Sequence, residues 1–176
     1  MLNKLKDAIK YNDTRWCNIG PNVKNEVDIL YQDEDILRFR TVLWNADNEA
    51  DYNFKIMINA IKSKSVQERL KTGTFFGEYS TKGFANTEYF ERFTTVDLHN
   101  VSHRVLELDI SESRVYAIIE VNPKCPLGMC VRKYIETRVH IPFYIRHLVE
   151  VSGNKLRAIH VISIDAMPDK REQEVN

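Results

Sequence analysis

The chain has 176 residues, of which 43% are apolar and 28% are charged. This length suits one domain with a substantial core, and the composition is ordinary for a globular protein. The formal net charge is +0, whereas a domain that grips nucleic acid usually carries a basic excess, so we expect no nucleic-acid partner. No apolar run approaches the ~18 residues of a membrane span, so we expect no membrane partner either.

The first predicted element is a short amphipathic helix in which Leu2, Leu5 and Ile9 lie near helical spacing. A Gly-Pro pair ends it, and we assign residues 1–34 to an N-terminal extension made of this helix and a loop. Its three apolar side chains are candidate partner-binding residues. The start of the chain does not resemble a secretion signal, and 3 cysteines are an odd number, so we expect an intracellular site of synthesis and free thiols.

Residues 35–44 alternate apolar with charged side chains and predict a strand. The strongest helical pattern covers residues 48–73, with Asn48 as a candidate N-cap and Gly73 as a candidate stop. An aromatic-rich stretch follows, and aromatic side chains are enriched at protein interfaces. From this stretch we take three more candidate partner-binding residues: Phe84, Tyr89 and Phe90.

Strands dominate the second half of the chain. Alternating patterns and turn residues predict two hairpins with a short helix between them: strands 100–110 and 113–121, helix 125–138, and strands 139–151 and 154–168. The main domain therefore covers residues 35–168, and 169–176 is a polar tail. We predict an α+β fold in which helices flank a barrel-like, mixed or mostly antiparallel sheet.

The cysteines and histidines of the second half do not form a metal motif. Tetrahedral zinc sites usually show tighter ligand pairs than the spacing found here, which runs through Cys125, Cys130, His140 and His147. We therefore predict no metal and no other cofactor.

Ser102 and His103 are adjacent on a predicted strand, where neighbouring side chains point to opposite faces. We therefore expect that they do not pair as nucleophile and base, and that His103 is a core histidine. Asp165 ends an apolar strand, and its spacing favours a turn cap over a catalytic role. Arg146 interrupts an otherwise apolar strand, which leaves open whether it hydrogen-bonds to the backbone, pairs with a carboxylate or is an edge-strand charge.

Several segments, taken in chain order, resemble the prohead (capsid-maturation) protease family of tailed bacteriophages, in particular the T-even type. That family shares a fold with herpesvirus assembly proteases. The resemblance covers roughly residues 35–168. It rests on three segments, which are the turn "NADN" at 45–48 before the long helix, the Val-Ser-His strand at Val101–His103 and the turn Cys125–Gly128 before the second helix. It also rests on three single positions: Arg146, Asp165 and Pro168.

The resemblance implies that the catalytic positions of the family are replaced in this chain. Thr81 or its neighbours stand where the catalytic histidine belongs, and Tyr144 and Ile145 stand at the two serine positions. A serine protease needs an oxygen nucleophile within reach of an imidazole, so we expect this chain not to be an enzyme. His103, Arg146 and Asp165 would be retained landmarks of the family.

The resemblance also implies a role in a phage particle. We expect a non-catalytic structural or assembly protein that binds capsid, portal or other virion proteins, with a homo-oligomer also possible. It would reside in the host cytoplasm during assembly and in the virion. An alternative is an active serine protease with relocated residues, its base among His99, His103 and His147 and its nucleophile among Ser80, Ser102 and Ser163. A third hypothesis is a small regulatory binding protein unrelated to capsids.

Overall fold

The computed structural model describes residues 27–45, 54–80, 90–152 and 155–168. Seven strands form two sheets within these ranges. The bounds of the strands are β1 Asp28–Gln32, β2 Leu37–Asn45, β3 Phe76–Glu78, β4 Val101–Ser111, β5 Arg114–Val121, β6 Phe143–Ser152 and β7 Lys155–Ala166. The helices are α1 Phe54–Ile61, α2 Lys64–Thr72, α3 Phe90–Thr94 and α4 Gly128–Glu136, and a 3-10 turn covers Leu98–Asn100.

The larger sheet has the strand order β1-β2-β5-β4-β3, and every neighbouring pair in it is antiparallel. The second sheet is the antiparallel pair β6–β7. An isolated parallel bridge from Tyr79 to Ala166 links the two sheets at one end. The predicted α+β class with mostly antiparallel strands is confirmed, but among the described residues the strands form two sheets and do not close into one barrel.

One contiguous core fills the space between the sheets and the helices. Phe39 on β2 packs against Phe143 on β6 with ring centroids 5.6 Å apart, which joins the two sheets. Trp44 stacks on Phe54 at 5.6 Å and holds α1 against the end of β2. Each large apolar side chain buried in this way contributes roughly 1.5–3 kcal/mol to folding.

Two sequence predictions differ from the observed elements. The single helix expected over 48–73 is two helices, because Ser63 is extended and its side chain accepts a hydrogen bond from the Val66 backbone N–H, which starts α2. Gly73 ends α2 in the left-handed conformation, with φ of 68°, as predicted. The loop expected before residue 34 contains β1, which pairs with β2. The candidate cap Asn48 lies outside the described residues.

Both hairpins and the short helix between them are found as predicted. β4 pairs with β5 through the turn at Glu112–Ser113, and β6 pairs with β7 along almost their whole length. α4 packs on β4 and β5, and α1 packs on β7. No helix in the described ranges is long and apolar enough to cross a membrane.

Candidate active site

A β-bulge places Ser102 and His103 on the same side of β4. Glu78 pairs with Val101 and Gly77 pairs with His103, so β4 has one more residue than β3 between these two pairs. A bulge of this kind leaves the extra residue unpaired and re-aims its side chain. Ser102 Oγ therefore lies 2.8 Å from His103 Nδ1. The prediction that these neighbours point apart is wrong, because it assumed a regular strand.

The second ring nitrogen of His103 fixes the tautomer. His103 Nε2 lies 2.9 Å from the carbonyl oxygen of Ile164 on β7. A carbonyl can only accept, so Nε2 carries the hydrogen and Nδ1 has the free lone pair. Nδ1 then accepts the hydrogen bond from the Ser102 hydroxyl. The arrangement is a hydroxyl, an imidazole that can take its proton, and a third group that orients the ring.

Burial keeps the imidazole neutral. Desolvation lowers the pKa of His103 from its ordinary 6.5 to about 4, although the bond to Ile164 acts in the opposite direction. At neutral pH the ring is therefore unprotonated and can accept a proton. His103 is fully buried with both nitrogens satisfied, as predicted for a core histidine.

Gly77 allows the close approach of β3 to this histidine. A Cβ atom at residue 77 would lie 2.2 Å from His103 Nε2 and 1.9 Å from the Ile164 carbonyl oxygen, which no side chain can tolerate. The edge of the His103 ring also packs on Phe143, with centroids 5.3 Å apart and planes at 85°. The ring is thus held from three strands.

The turn into α4 packs on β4 next to this pair. The Leu127 backbone N–H donates to the Val101 carbonyl, and Gly128 sits close to the Ser102 carbonyl oxygen. Ser102 and His103 are both 0% exposed. The structure therefore shows the pair in a covered state, which a peptide carbonyl reaches only after part of this packing moves.

A buried charge cluster lies beside the pair and explains the arginine in β6. Arg146 is 0% exposed, and its Nη2 donates to Glu78 Oε1 at 2.8 Å. Its Nε lies 3.0 Å from Asp165 Oδ2 and donates to Ser163 Oγ at 2.7 Å. Arg92 donates to the same Glu78, with Nη2 2.6 Å from Oε2. Arg146 thus pairs with carboxylates, and the alternative of an edge-strand charge is wrong.

The pKa values of the two carboxyls in this cluster are shifted in opposite directions. Burial raises the pKa of Asp165 to about 6, despite the nearby Arg146. Burial also opposes ionisation of Glu78, but the hydrogen bonds from Arg92 and Arg146 outweigh it, so the pKa of Glu78 lies below its ordinary value. Glu78 is therefore the anchored anion of the cluster, and Asp165 is its proton-sensitive member.

The spacing of Asp165 favoured a turn cap, and this prediction is wrong. Asp165 lies inside β7, where its Oδ1 accepts the Glu78 backbone N–H at 3.0 Å. The Ser163 hydroxyl donates to both of its oxygens. Asp165 and Glu78 are 87 residues apart in the chain, so the local sequence pattern could not predict this hydrogen bond.

The remaining serines and histidines of the relocated-protease alternative are arranged differently. Ser163 contacts a carboxylate and a guanidinium, as described above. His99 is 97% exposed and binds Asp97, and His147 Nδ1 bonds to the Ile145 carbonyl at 2.7 Å. Ser80 is half-buried, and its backbone N–H donates to the Ala166 carbonyl. Of these candidates, Ser102 and His103 have the geometry of a nucleophile and a base.

The positions carried over from the resemblance lie at the end where the two sheets meet. Tyr144 pairs with Asp165 across β6–β7, and Ile145, 1% exposed, belongs to the core. Ser80 bonds to Ala166, the residue after Asp165. Thr81 lies outside the described residues, so its correspondence to the catalytic histidine of the family stays a prediction.

The candidate partner-binding residues also fall outside the description. This holds for Leu2, Leu5, Ile9, Phe84, Tyr89 and the side chain of Phe90. Their neighbours in the aromatic stretch, Phe75 and Phe93, are core residues. The two described cysteines are free thiols, as predicted. No group of three or more metal-binding side chains occurs in the described ranges.

A sequence profile of the Peptidase S80 family matches residues 20–163. The chain belongs to the Peptidase S80 family. The S80 match includes β1 through most of β7 and thus the Ser102–His103 pair and the charge cluster. No curated protein matches the sequence significantly.

The fold of this S80 chain is similar to that of a solved phage protein. The structure of the bacteriophage T4 capsid assembly protease, gp21, aligns with a TM-score of 0.64 and 15% sequence identity. The alignment covers 88% of this chain and 96% of that one. The resemblance to the phage prohead protease family is therefore confirmed.

The expectation that this S80 chain is not an enzyme is contradicted. The family is one of peptidases, and the structural neighbour is a protease. The expectation rested on reading Thr81, Tyr144 and Ile145 as replaced catalytic positions, and it assumed that Ser102 and His103 could not meet. The bulge in β4 removes that assumption.

Proposed function

We propose that this S80 chain is a peptidase of phage capsid assembly, with Ser102 as the nucleophile and His103 as the general base. The observation that carries the proposal is the 2.8 Å contact between Ser102 Oγ and His103 Nδ1, with the tautomer set by the Ile164 carbonyl. Membership of a peptidase family supports the activity. The likeness to the T4 capsid assembly protease supports the setting.

The residues suit acyl transfer through a covalent intermediate. Ser102 Oγ attacks a peptide carbonyl carbon while its proton passes to His103 Nδ1, and that proton then goes to the departing amine as the C–N bond breaks. Water repeats the two steps to release the acyl group. The Ile164 carbonyl holds the Nε2 proton throughout and so stabilises the imidazolium.

Two features imply slow turnover. The pKa of His103 is about 4, so it is a weaker base than a free imidazole. The pair is also covered, so the packing of the turn into α4 must open before attack. Slow, limited cleavage fits a protein that processes a fixed set of neighbours once.

The proposed substrates are capsid, scaffolding, portal or other virion proteins. With these substrates, the chain would act in the host cytoplasm during assembly and then reside in the particle. The net charge of the chain is +0, so long-range electrostatic attraction does not guide it to these substrates. The third hypothesis, a regulatory binder with only a fold in common, is less favoured because the family match is one of sequence.

The proposal is tested by covalent labelling and by cleavage. The full-length chain is treated with a fluorophosphonate, and the labelled residue is located by peptide mass spectrometry. In parallel, it is co-expressed with the capsid and scaffolding proteins encoded with it. We expect the label on Ser102 and discrete cleavage products, both absent in Ser102→Ala.

Ser163→Ala is the matched control, since among the described residues this buried hydroxyl contacts Arg146 and Asp165 and no imidazole. It should keep both signals. Labelling of a different serine would show that the nucleophile is misassigned. The absence of any label together with intact substrates would overturn the proposal.

A further inference from the structure

Among the residues that the structure describes, the outer edge of β1 is open. β1 is the first strand of the five-stranded sheet, and the described strands pair with it on one side only, through β2. All five of its residues are exposed. An edge strand presents alternate N–H and C=O groups that another extended chain can bond.

This edge is apolar and lacks two of the common protections of an edge strand. Its exposed residues include Ile29 at 48%, Leu30 at 53% and Tyr31 at 48%. Natural edges are commonly blunted by lysine or proline, and the strand sequence DILYQ contains neither. A bulge at Leu30 interrupts its pairing with β2.

A groove of about 680 Å³ runs beside β1. Val27 and Ile29 form one wall, and they project to the same side because they are two residues apart in an extended segment. The opposite wall comes from the segment after α4, through Val139 and Ile141, with Ile135 from the helix itself.

Charges of opposite sign stand on the two sides of the groove. Asp28 lies on the β1 side, while Arg138 lies on the other. A chain in the groove would therefore meet an apolar strip with a negative group on one side and a positive group on the other. Such a pattern selects an extended segment with alternating apolar residues flanked by charges of both signs.

We infer that β1 and this groove bind an extended segment of a capsid-assembly protein by strand addition. Main-chain bonds to β1 supply affinity, and the groove selects alternate apolar side chains. The inference rests on the proposed function for the identity of the partner. Three strand spacings separate β1 from β4, or about 14 Å, so the bound segment is a second region of the substrate and not the bond to be cut.

The experiment uses the full-length chain and fluorescent 15-residue peptides tiled across the major capsid and scaffolding proteins encoded with it. We expect one or a few peptides to bind and to slow amide hydrogen exchange in β1. Ile29→Asp should weaken that binding at least tenfold, and Val139→Asp on the other wall should do the same. Both side chains are substantially exposed, so both variants should fold, as circular dichroism will verify.

Leu98→Asp is the matched control, because Leu98 is 65% exposed, lies in the 3-10 turn and is not among the residues that line the groove. It should leave peptide binding within twofold of the parent. Ser102→Ala should also bind normally, which separates this inference from the proposed catalytic role. Binding that persists in Ile29→Asp, or that leaves β1 exchange unchanged, would overturn strand addition.

Two other occupants have distinct signatures, and each would overturn the inference. If a second copy covers β1, the parent will sediment as a dimer and Ile29→Asp as a monomer. If residues from the N-terminal extension cover it, replacing Leu2, Leu5 and Ile9 by serine will be needed before any peptide binds. Failure of every tiled peptide to bind would also reject the partner named here.

Discussion

Arg146 on β6 donates to Glu78 on β3 across 2.8 Å, and neither side chain is exposed to solvent. Taking two such charges out of water is costly unless each finds partners, and here Arg92 and Asp165 complete the set. The cluster therefore fixes how the β6–β7 pair sits against the five-stranded sheet.

Loss of the central cation should be strongly destabilising. Arg146→Met leaves Asp165 buried without its cation and removes one partner of Glu78, so we expect a loss of about 3–5 kcal/mol in the free energy of unfolding. Urea unfolding followed by circular dichroism measures it. The control is Arg40→Met, whose pair with Asp109 is at the surface and should contribute less than about 1 kcal/mol. Equal losses in the two variants would contradict the buried pairing.

Stability should fall on mild acidification because of the buried histidines. Desolvation lowers the pKa of both His103 and His147 to about 4, from 6.5 in the unfolded chain. Since the unfolded state binds protons first, the stabilisation is complete above pH 6.5 and is lost as the pH falls toward 4. Between pH 7 and pH 5 each histidine should remove about 2 kcal/mol.

His147→Asn tests this prediction, because asparagine can keep the donor to the Ile145 carbonyl but does not titrate. Its unfolding free energy should fall less steeply between pH 7 and pH 5 than that of the parent. Asp165 acts in the opposite sense, since its raised pKa of about 6 favours the folded state as the pH falls from 6 toward 4. Parallel pH profiles for parent and variant would rule out a neutral buried His147.

The reactivity of Ser102 should be insensitive to pH in the range where an ordinary histidine titrates. The base is neutral above its pKa of about 4, so the rate of fluorophosphonate labelling should stay nearly flat from pH 5.5 to pH 8. Stopped labelling assays followed by intact mass measure the rate, with circular dichroism to verify folding at each pH. A tenfold rise centred near pH 6.5 would point to a different, solvent-exposed base.

Gly77→Ala should disrupt the fold and the site together. The new methyl would lie within 2.2 Å of His103 Nε2 and against the Ile164 carbonyl, so we expect a loss of about 3 kcal/mol or more and no labelling of Ser102. Gly73→Ala is the matched control. Its φ of 68° makes it cost about 1 kcal/mol, but its nearest contact is the flexible end of Arg104, so labelling should persist.

The sequence pattern correctly predicted the elements that depend on residues close together in the chain. The hairpins β4–β5 and β6–β7 follow from alternation and turns, and α4 from its apolar spacing. β1 was missed because its exposed apolar residues have no buried face to produce alternation. The break at Ser63 was missed because Val66 and Leu70 resume a helical spacing soon after the stripe of α1 ends at Ile61, and only the capping hydrogen bond shows where α2 begins.

The site depends on contacts that no spacing rule reports. Residues 78 and 146 are far apart in the chain, so the reason for an arginine in β6 becomes visible only when β3 is placed beside it. His103 was correctly predicted as a core histidine. Its contact with Ser102 was not predicted, because it comes from one unpaired residue in β4, and a bulge has no signature in a single sequence.

β3 is only three residues long, yet Gly77 and Glu78 touch structures on β4, β6 and β7. A larger residue at Gly77 would collide with the His103 imidazole and the Ile164 carbonyl, and a change at Glu78 would remove the carboxylate that binds the Arg146 guanidinium. Compensating for it would take simultaneous replacements on three other strands. We therefore expect Gly77 and Glu78 to change little among relatives. Where a relative has other residues at these two positions, we expect the residues that contact them on the other strands to differ as well.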